Sequence, residues 1–158
     1  MYLKKFEIRW NDLDANRHLA NSAYIQYMSH TRMSYLSENG FDHEAMAKHR
    51  IGPVVFHEHV YYFKESLGGQ ILVTFELGGI SEDGRFFRFV HNFYNENGIN
   101  LAYCEMQGAW IDLNTRSTVP LPDELMRFVD TAPKTEDFKL LTKEDMRSGG
   151  RKPVDIIF

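Results

Sequence analysis

Cysteine is nearly absent: Cys104 is the only one in 158 residues, so no internal disulfide can form and a reducing compartment is the expected setting. Long apolar runs are missing too, and none approaches the roughly 20 residues that span a bilayer. Near the N-terminus Lys4, Lys5, Glu7 and Arg9 break up the apolar residues, so no secretory leader is expected and a cytoplasmic location is. There is no basic surplus. The formal charge is −4 and no long basic run occurs, which leaves nucleic acid without an electrostatic footprint. Neither a Gly-x-Ser-x-Gly elbow nor a phosphate-binding P-loop is present, which argues against serine-hydrolase and nucleotide-hydrolase chemistry. Internal repeats and low-complexity segments are absent as well.

What remains is a chain of one-domain length, 43% hydrophobic and 14% aromatic, able to bury a sizeable core. Phe6, Ile8 and Trp10 alternate with charged residues, the period of a half-buried strand. Residues 21–39 contain neither proline nor glycine. Ala23, Tyr24, Tyr27, Met28, Thr31, Tyr35 and Leu36 recur there at three- and four-residue spacing, which predicts a long helix capped by Asn21 or Ser22 and ended by Gly40. A short helix from Asp42 to about His49 follows, with Asp42 as its cap. Residues 54–64, 70–78, 85–95 and 99–112 are rich in β-branched and aromatic side chains. Tight turns at Gly68-Gly69, Glu82-Asp83-Gly84 and Asn95-Glu96-Asn97-Gly98 make these a meander of antiparallel strands. The reading is an α+β domain over 1–130, followed by a C-terminal extension over 131–158. That extension is expected to fray, while its apolar end, Val154 to Phe158, suits docking on the body or on a partner subunit. One long helix cannot cover both faces of a five-stranded sheet, so a homodimer is expected.

The chemistry is concentrated between Asn11 and Tyr24. Two carboxylates, Asp12 and Asp14, stand just before a helix start, separated from it by a polar loop containing Arg17 and His18. A helix start offers unpaired N–H groups and the positive end of the dipole, a suitable place for a developing oxyanion. A carboxylate beside it can attack a carbonyl or take a proton from an attacking water. Aspartate is also common before helices as an Asx-turn or capping residue, so the local pattern alone leaves Asp14 open between the two roles.

The run Asp12-x-Asp14-x-x-x-His18-Leu19-x-Asn21-x-x-Tyr24, followed by Arg32, resembles the signature of hotdog-fold acyl-CoA thioesterases, nearest to the 4-hydroxybenzoyl-CoA thioesterase-like family. The similarity continues through Gly52-Pro53-Val54-Val55, the aromatic stretch 85–95, Asn97-Gly98 and Pro120-Leu121-Pro122-Asp123-Glu124, over roughly residues 3–126. The resemblance implies a curved antiparallel sheet wrapped around the long helix, subunits paired as a homodimer or homotetramer, and hydrolysis of an acyl-CoA or acyl-carrier-protein thioester without a metal or redox cofactor. It implies Asp14 as general base or nucleophile and the Asn21 backbone N–H as the group that polarises the thioester carbonyl. It adds His18 as a further catalytic residue and Asp12 as the holder of the loop. Arg85 would face the nucleotide end of coenzyme A, and Tyr24 would line an acyl pocket. Two positions depart from the pattern. Arg17 replaces a usual glycine, which puts a guanidinium into the loop beside Asp14 or reshapes it, and Ser29-His30 stand where acidic residues are common.

Other clusters carry less. His57 and His59 share one face of a strand and His91 falls on another strand, but no acidic or cysteine companion completes a metal set. Phe86, Phe87, Arg88 and Phe89 read as sheet core rather than base-stacking residues. Two rival functions stay open: a hydratase or dehydratase on the same fold, using a histidine–carboxylate pair, and a non-catalytic acyl-thioester-binding protein.

Overall fold

The computed structural model describes residues 1–147 and 150–157. The N-terminal strand β1 (Tyr2–Glu7) leads into a short 3-10 turn (Trp10–Asp12) and the long helix α1 (Asn21–Glu38). Helix α2 (His43–His49) follows, then β2 (Ile51–Tyr62), β3 (Gln70–Ser81), β4 (Phe86–Asn95) and β5 (Asn100–Asp112). Helix α3 (Asp123–Thr131) and strand β6 (Lys134–Leu141) complete the order. The sheet runs β1-β3-β4-β5-β2 and curves around α1, the hotdog arrangement, with these five strands antiparallel.

A sixth strand joins the five expected. β1 pairs with the first half of β3, from Tyr2↔Phe75 to Glu7↔Gln70, and β6 pairs in parallel with the second half, from Leu77↔Lys134 to Ser81↔Leu141. The two short strands thus share one side of β3. Arg88 on β4 fastens β6 down by reaching across Gly78 to Asp137, 2.8 Å away. A Cβ at Gly78 would sit 2.5 Å from Arg88 Nε, so only glycine leaves the guanidinium its path. The rest of the C-terminal stretch from 150 to 157 is exposed; Ser148, Gly149 and Phe158 lie outside the described residues.

The face of α1 predicted from spacing is the buried one: Ala23, Tyr24, Tyr27, Met28, Thr31, Tyr35 and Leu36. Near its C-terminal end Tyr35 stacks on Phe75 (4.6 Å between ring centroids), and Phe41 stacks on Trp110 (4.4 Å). Helix α3 closes that end of the core: Phe128 is fully buried, and its carbonyl accepts a hydrogen bond from Tyr35 Oη at 2.9 Å. Asp42 caps α2 as expected, accepting from the Ala45 N–H at 2.8 Å, and Gly40 has φ +84°. Two local expectations are corrected. Trp10 is not in a strand: β1 ends at Glu7, where the ladder meets the Gly68-Gly69 turn, and Trp10 is 89% exposed. The N-cap of α1 is Ala20, without a side-chain cap, and Asn21 is the first helical residue.

The face of the sheet turned away from α1 carries His57 and His59, whose rings are 5.0 Å apart. Direct pairing along His57↔Gln107↔Arg88 assigns them to that face, whereas Val60↔Cys104↔His91 assigns His91 to the face toward α1. The three histidines therefore do not converge.

Candidate active site

The segment between β1 and α1 is held by Asp12. This carboxylate is buried and accepts from the Arg9 N–H (2.9 Å), Arg9 Nε (3.1 Å), Arg9 Nη2 (3.0 Å) and Tyr27 Oη (2.6 Å). Its pKa is pulled down to about 2, chiefly by the Arg9 guanidinium and further by Tyr27, so it is a fixed anion. Burial, together with this anion, pushes the Tyr27 phenol up to about 12. The Asp12 carbonyl also accepts from the Ala20 N–H at 2.8 Å, tying the end of β1 to the start of α1. The expectation that Asp12 binds backbone N–H groups holds for Arg9; the other partners are side chains.

Asp14 is exposed at the tip of this segment. Its Oδ1 accepts from the backbone N–H groups of Asn16 (2.8 Å) and His18 (3.1 Å), while its own N–H donates to the His18 carbonyl (2.8 Å). The loop is closed on itself around the carboxylate, and among the described residues Oδ2 has no hydrogen-bond partner. Asn21 caps its neighbour, with Oδ1 accepting from the Ser22 N–H at 2.9 Å. The Asn21 N–H, at the first turn of α1, has no partner among the described residues.

Asp14, His18, Asn21 and Tyr24 line one depression of about 360 Å³, closed on its far side by Tyr62, Phe63 and Glu65. Tyr24 is buried, packed edge-on against Tyr62 (5.1 Å) and Phe93 (5.0 Å), and burial pushes its phenol up to about 12. His18 Nε2 lies 2.7 Å from a carboxylate oxygen of Glu65 in the β2–β3 loop, and the Leu19 N–H donates to the Ser66 carbonyl in the same loop. Glu65 and Ser66 escaped the sequence reading because nothing in their own neighbourhood marks them; only the long-range packing of two loops does.

Arg17 keeps the backbone conformation that glycine favours, with φ +63°. Its side chain lines a second depression with Trp10, Asn11 and Leu13, and Asp14 stands in the wall of both. Arg85 is not brought to Asp14 within one protomer. It sits at the β3–β4 hairpin, bonded to Asp83 and to the Thr118 carbonyl, level with Pro53 rather than Tyr62 on β2. Nine strand residues separate those levels, about 30 Å. Among the described residues no cluster of three or more metal-ligating side chains occurs, and no helix is long and apolar enough to cross a membrane.

A model of the thioesterase-like superfamily matches residues 8–129, most of the chain. The chain belongs to this superfamily. It is the family that the run from Asp12 to Tyr24 resembles, and the matched span contains all of the loop, α1 and β2 to β5. Solved structures agree on the fold. The YbaW probable thioesterase of Escherichia coli superposes with a TM-score of 0.71 at 20% identity, covering 85% of this chain and 100% of that one. A 1,4-dihydroxy-2-naphthoyl-CoA thioesterase from Synechocystis gives 0.72 at 16% identity, covering 82% and 95%. The Staphylococcus aureus protein SAV2348, solved in complex with CoA, gives 0.75 at 16% identity, covering 99% and 95%. No curated protein matches the chain in sequence.

Proposed function

We propose that the chain hydrolyses acyl-CoA thioesters to a free carboxylic acid and coenzyme A. One observation carries the reading: the Asp14 carboxylate and the Asn21 N–H at the start of an 18-residue helix line the same depression, with Oδ2 and that N–H both without a partner among the described residues. With the thioester carbonyl oxygen on the Asn21 N–H, Asp14 accepts the proton of a water attacking the carbonyl carbon. The oxyanion is held by the N–H and the helix dipole. The tetrahedral intermediate then collapses, the C–S bond breaks, and the thiolate leaves with the proton returned from Asp14. Direct attack by Asp14 on the carbonyl, followed by hydrolysis of the mixed anhydride, gives the same products. His18 positions this loop through Glu65, and that pairing turns its ring to a partner other than Asp14, which disfavours the hydratase alternative. The test is mass spectrometry of a panel of acyl-CoAs incubated with the protein: free acid is expected, whereas a dehydrated acyl-CoA or an unchanged substrate would exclude hydrolysis.

Arg17 adds a determinant of substrate choice beside the thioester. Arg17→Gly is expected to change kcat/KM unequally, by about tenfold between acyl groups that are anionic near the thioester and neutral ones, or roughly 1.4 kcal/mol of differential transition-state binding. The same substitution relieves a left-handed arginine and should raise stability by about 1 kcal/mol. A uniform kinetic effect across the panel would remove Arg17 from substrate choice.

A second copy of the chain along β2 supplies the rest of the site in this reading. The outer edge of this 12-residue strand has no partner strand among the described residues, and Val55, Phe56, Tyr61 and Tyr62 are exposed along it. Antiparallel pairing of two such edges would bring the partner's Arg85 end toward Asp14, which supports Arg85 as a contact for the nucleotide of coenzyme A. Light scattering at micromolar protein should give a dimer or a multiple of it; a fully active monomer would overturn this part.

A further inference from the structure

Arg32 lies three turns along α1 from Asn21, about 16 Å by helical rise. It lines a separate cavity of about 210 Å³, whose other walls include Ser29, Met33, Val55, Phe89 and Met106. Its Nη1 is shut off from solvent and has no hydrogen-bond partner among the described residues, while Nη2 has only Ser29 Oγ at 3.3 Å. The residues one helical turn away on either side are Met28, Ser29, Tyr35 and Leu36, none of them acidic. Three titratable groups face it from the sheet. His91 is fully buried and neutral, its pKa driven down to about 3 by burial and by the Arg32 charge, and its Nδ1 lies 2.7 Å from the Thr74 carbonyl. Burial pushes the Cys104 thiol up to about 12, so it carries no charge. Glu58 on β2 is the one carboxylate whose field reaches Arg32, yet among the described residues Arg32 makes no ion pair.

An arginine remains charged at any physiological pH, even where burial pulls its pKa below the ordinary value. Arg32 as a whole is partly exposed, but its Nη1 is shut off from solvent without a compensating acceptor among the described residues, which is destabilising. The cavity therefore has one cation, Arg32, in a wall that is otherwise mostly apolar. Tyr24 and Arg32 are both on α1 and share their walls with β2: Tyr24 lines the depression of Asp14 with Tyr62, and Arg32 lines its cavity with Val55. Resting on the thioesterase reading, we propose that Arg32 receives a second carboxylate at the far end of the acyl chain, so that the preferred substrates are ω-carboxyacyl thioesters. Hydrolysis then releases a dicarboxylic acid and the thiol.

Two experiments test the assignment independently of each other. In the first, kcat/KM is compared for ω-carboxyacyl-CoAs and neutral acyl-CoAs of matched length. The wild type should favour the carboxylated series by about tenfold or more at its best length. Arg32→Met should abolish that ratio, and Arg32→Lys should restore part of it. Arg32→Met is expected to fold, because it removes a part-buried charge that makes no ion pair among the described residues. In the second, calorimetry measures binding of free α,ω-dicarboxylates. Wild type and Asp14→Asn should bind them alike, Arg32→Met should not, and Glu58→Gln should bind them more tightly, having lost a repelling charge. Absence of dicarboxylate binding, binding that survives Arg32→Met, or a Glu58→Gln variant that loses stability and gains no affinity would each overturn the proposal. Dicarboxylate binding without turnover of any acyl-CoA would leave Arg32 as an anion receptor and remove the thioesterase reading.

Discussion

Asp14→Asn is expected to keep the fold and lose thioester hydrolysis by at least about a hundredfold, a typical scale for a positioned acid–base group. That factor is about 2.7 kcal/mol of transition-state stabilisation. Asparagine is the informative replacement because of what Oδ1 does. It accepts the N–H groups of Asn16 and His18, and an amide oxygen accepts them equally well. The loop around the residue is thus preserved while the free oxygen becomes an NH2, which neither takes a proton from water nor attacks a carbonyl. Alanine would remove both functions and confound them. The measurement is kcat/KM on the best acyl-CoA of the panel, with circular dichroism and light scattering as controls on fold and assembly. Turnover near the wild-type rate in a variant free of contaminating wild type would remove Asp14 from the chemistry.

Gly108→Ala should lower stability by about 3 kcal/mol, the upper part of the range for overpacking a filled interior. For a chain of this size that is a fall in melting temperature of about 6–12 °C. Gly108 on β5 is paired with Val55 of β2 and Phe87 of β4. A Cβ there would overlap the Val54 carbonyl oxygen and lie 2.6 Å from the Phe87 ring. Neither neighbour can yield cheaply. Val54 is backbone within the β2–β5 ladder, and the Phe87 ring is stacked on Phe89 (4.4 Å) and set against Trp110 (4.9 Å). A thermal or denaturant midpoint within about 2 °C of wild type would show that the ladder has slack that the packing does not suggest.

The sequence was readable wherever the determinant was local. The seven buried residues of α1 follow from spacing alone, and the hairpins at Gly84 and Gly98 from turn residues whose φ values are +72° and +74°. The placing of Asp14 beside the helix start at Asn21 was legible for the same reason, since the two are close in sequence, whereas their roles came only from the family resemblance. Trp10 misled because alternation records side-chain direction, not pairing. The β1–β3 ladder stops at Glu7↔Gln70, and the same alternation runs on past it. β6 was invisible because its residues, Lys134 to Leu141, are half charged. Their strand state depends on a non-local parallel pairing with β3 and on the bridge from Arg88 to Asp137. Arg17 was recognised as a departure from the family pattern, but sequence could not say that the backbone would keep a glycine-like φ of +63° under an arginine. Arg32 was visible only as part of a motif; that its Nη1 is shut off from solvent with no partner among the described residues depends on which side chains the sheet turns toward it.

The division of one side of β3 between β1 and β6 bears on how these molecules can aggregate. Two short strands of 6 and 8 residues, offset from each other and carrying Lys4, Lys5, Lys134, Glu136 and Lys139, make a poor template for another chain. At the opposite margin β2 offers 12 continuous residues with aromatic side chains. A sheet that is adhesive at both margins can extend into a filament, each added copy presenting a fresh sticky margin. Here an arriving copy that joins through β2 presents only its own blunt, charged margin outward, so growth by strand addition terminates after a single step.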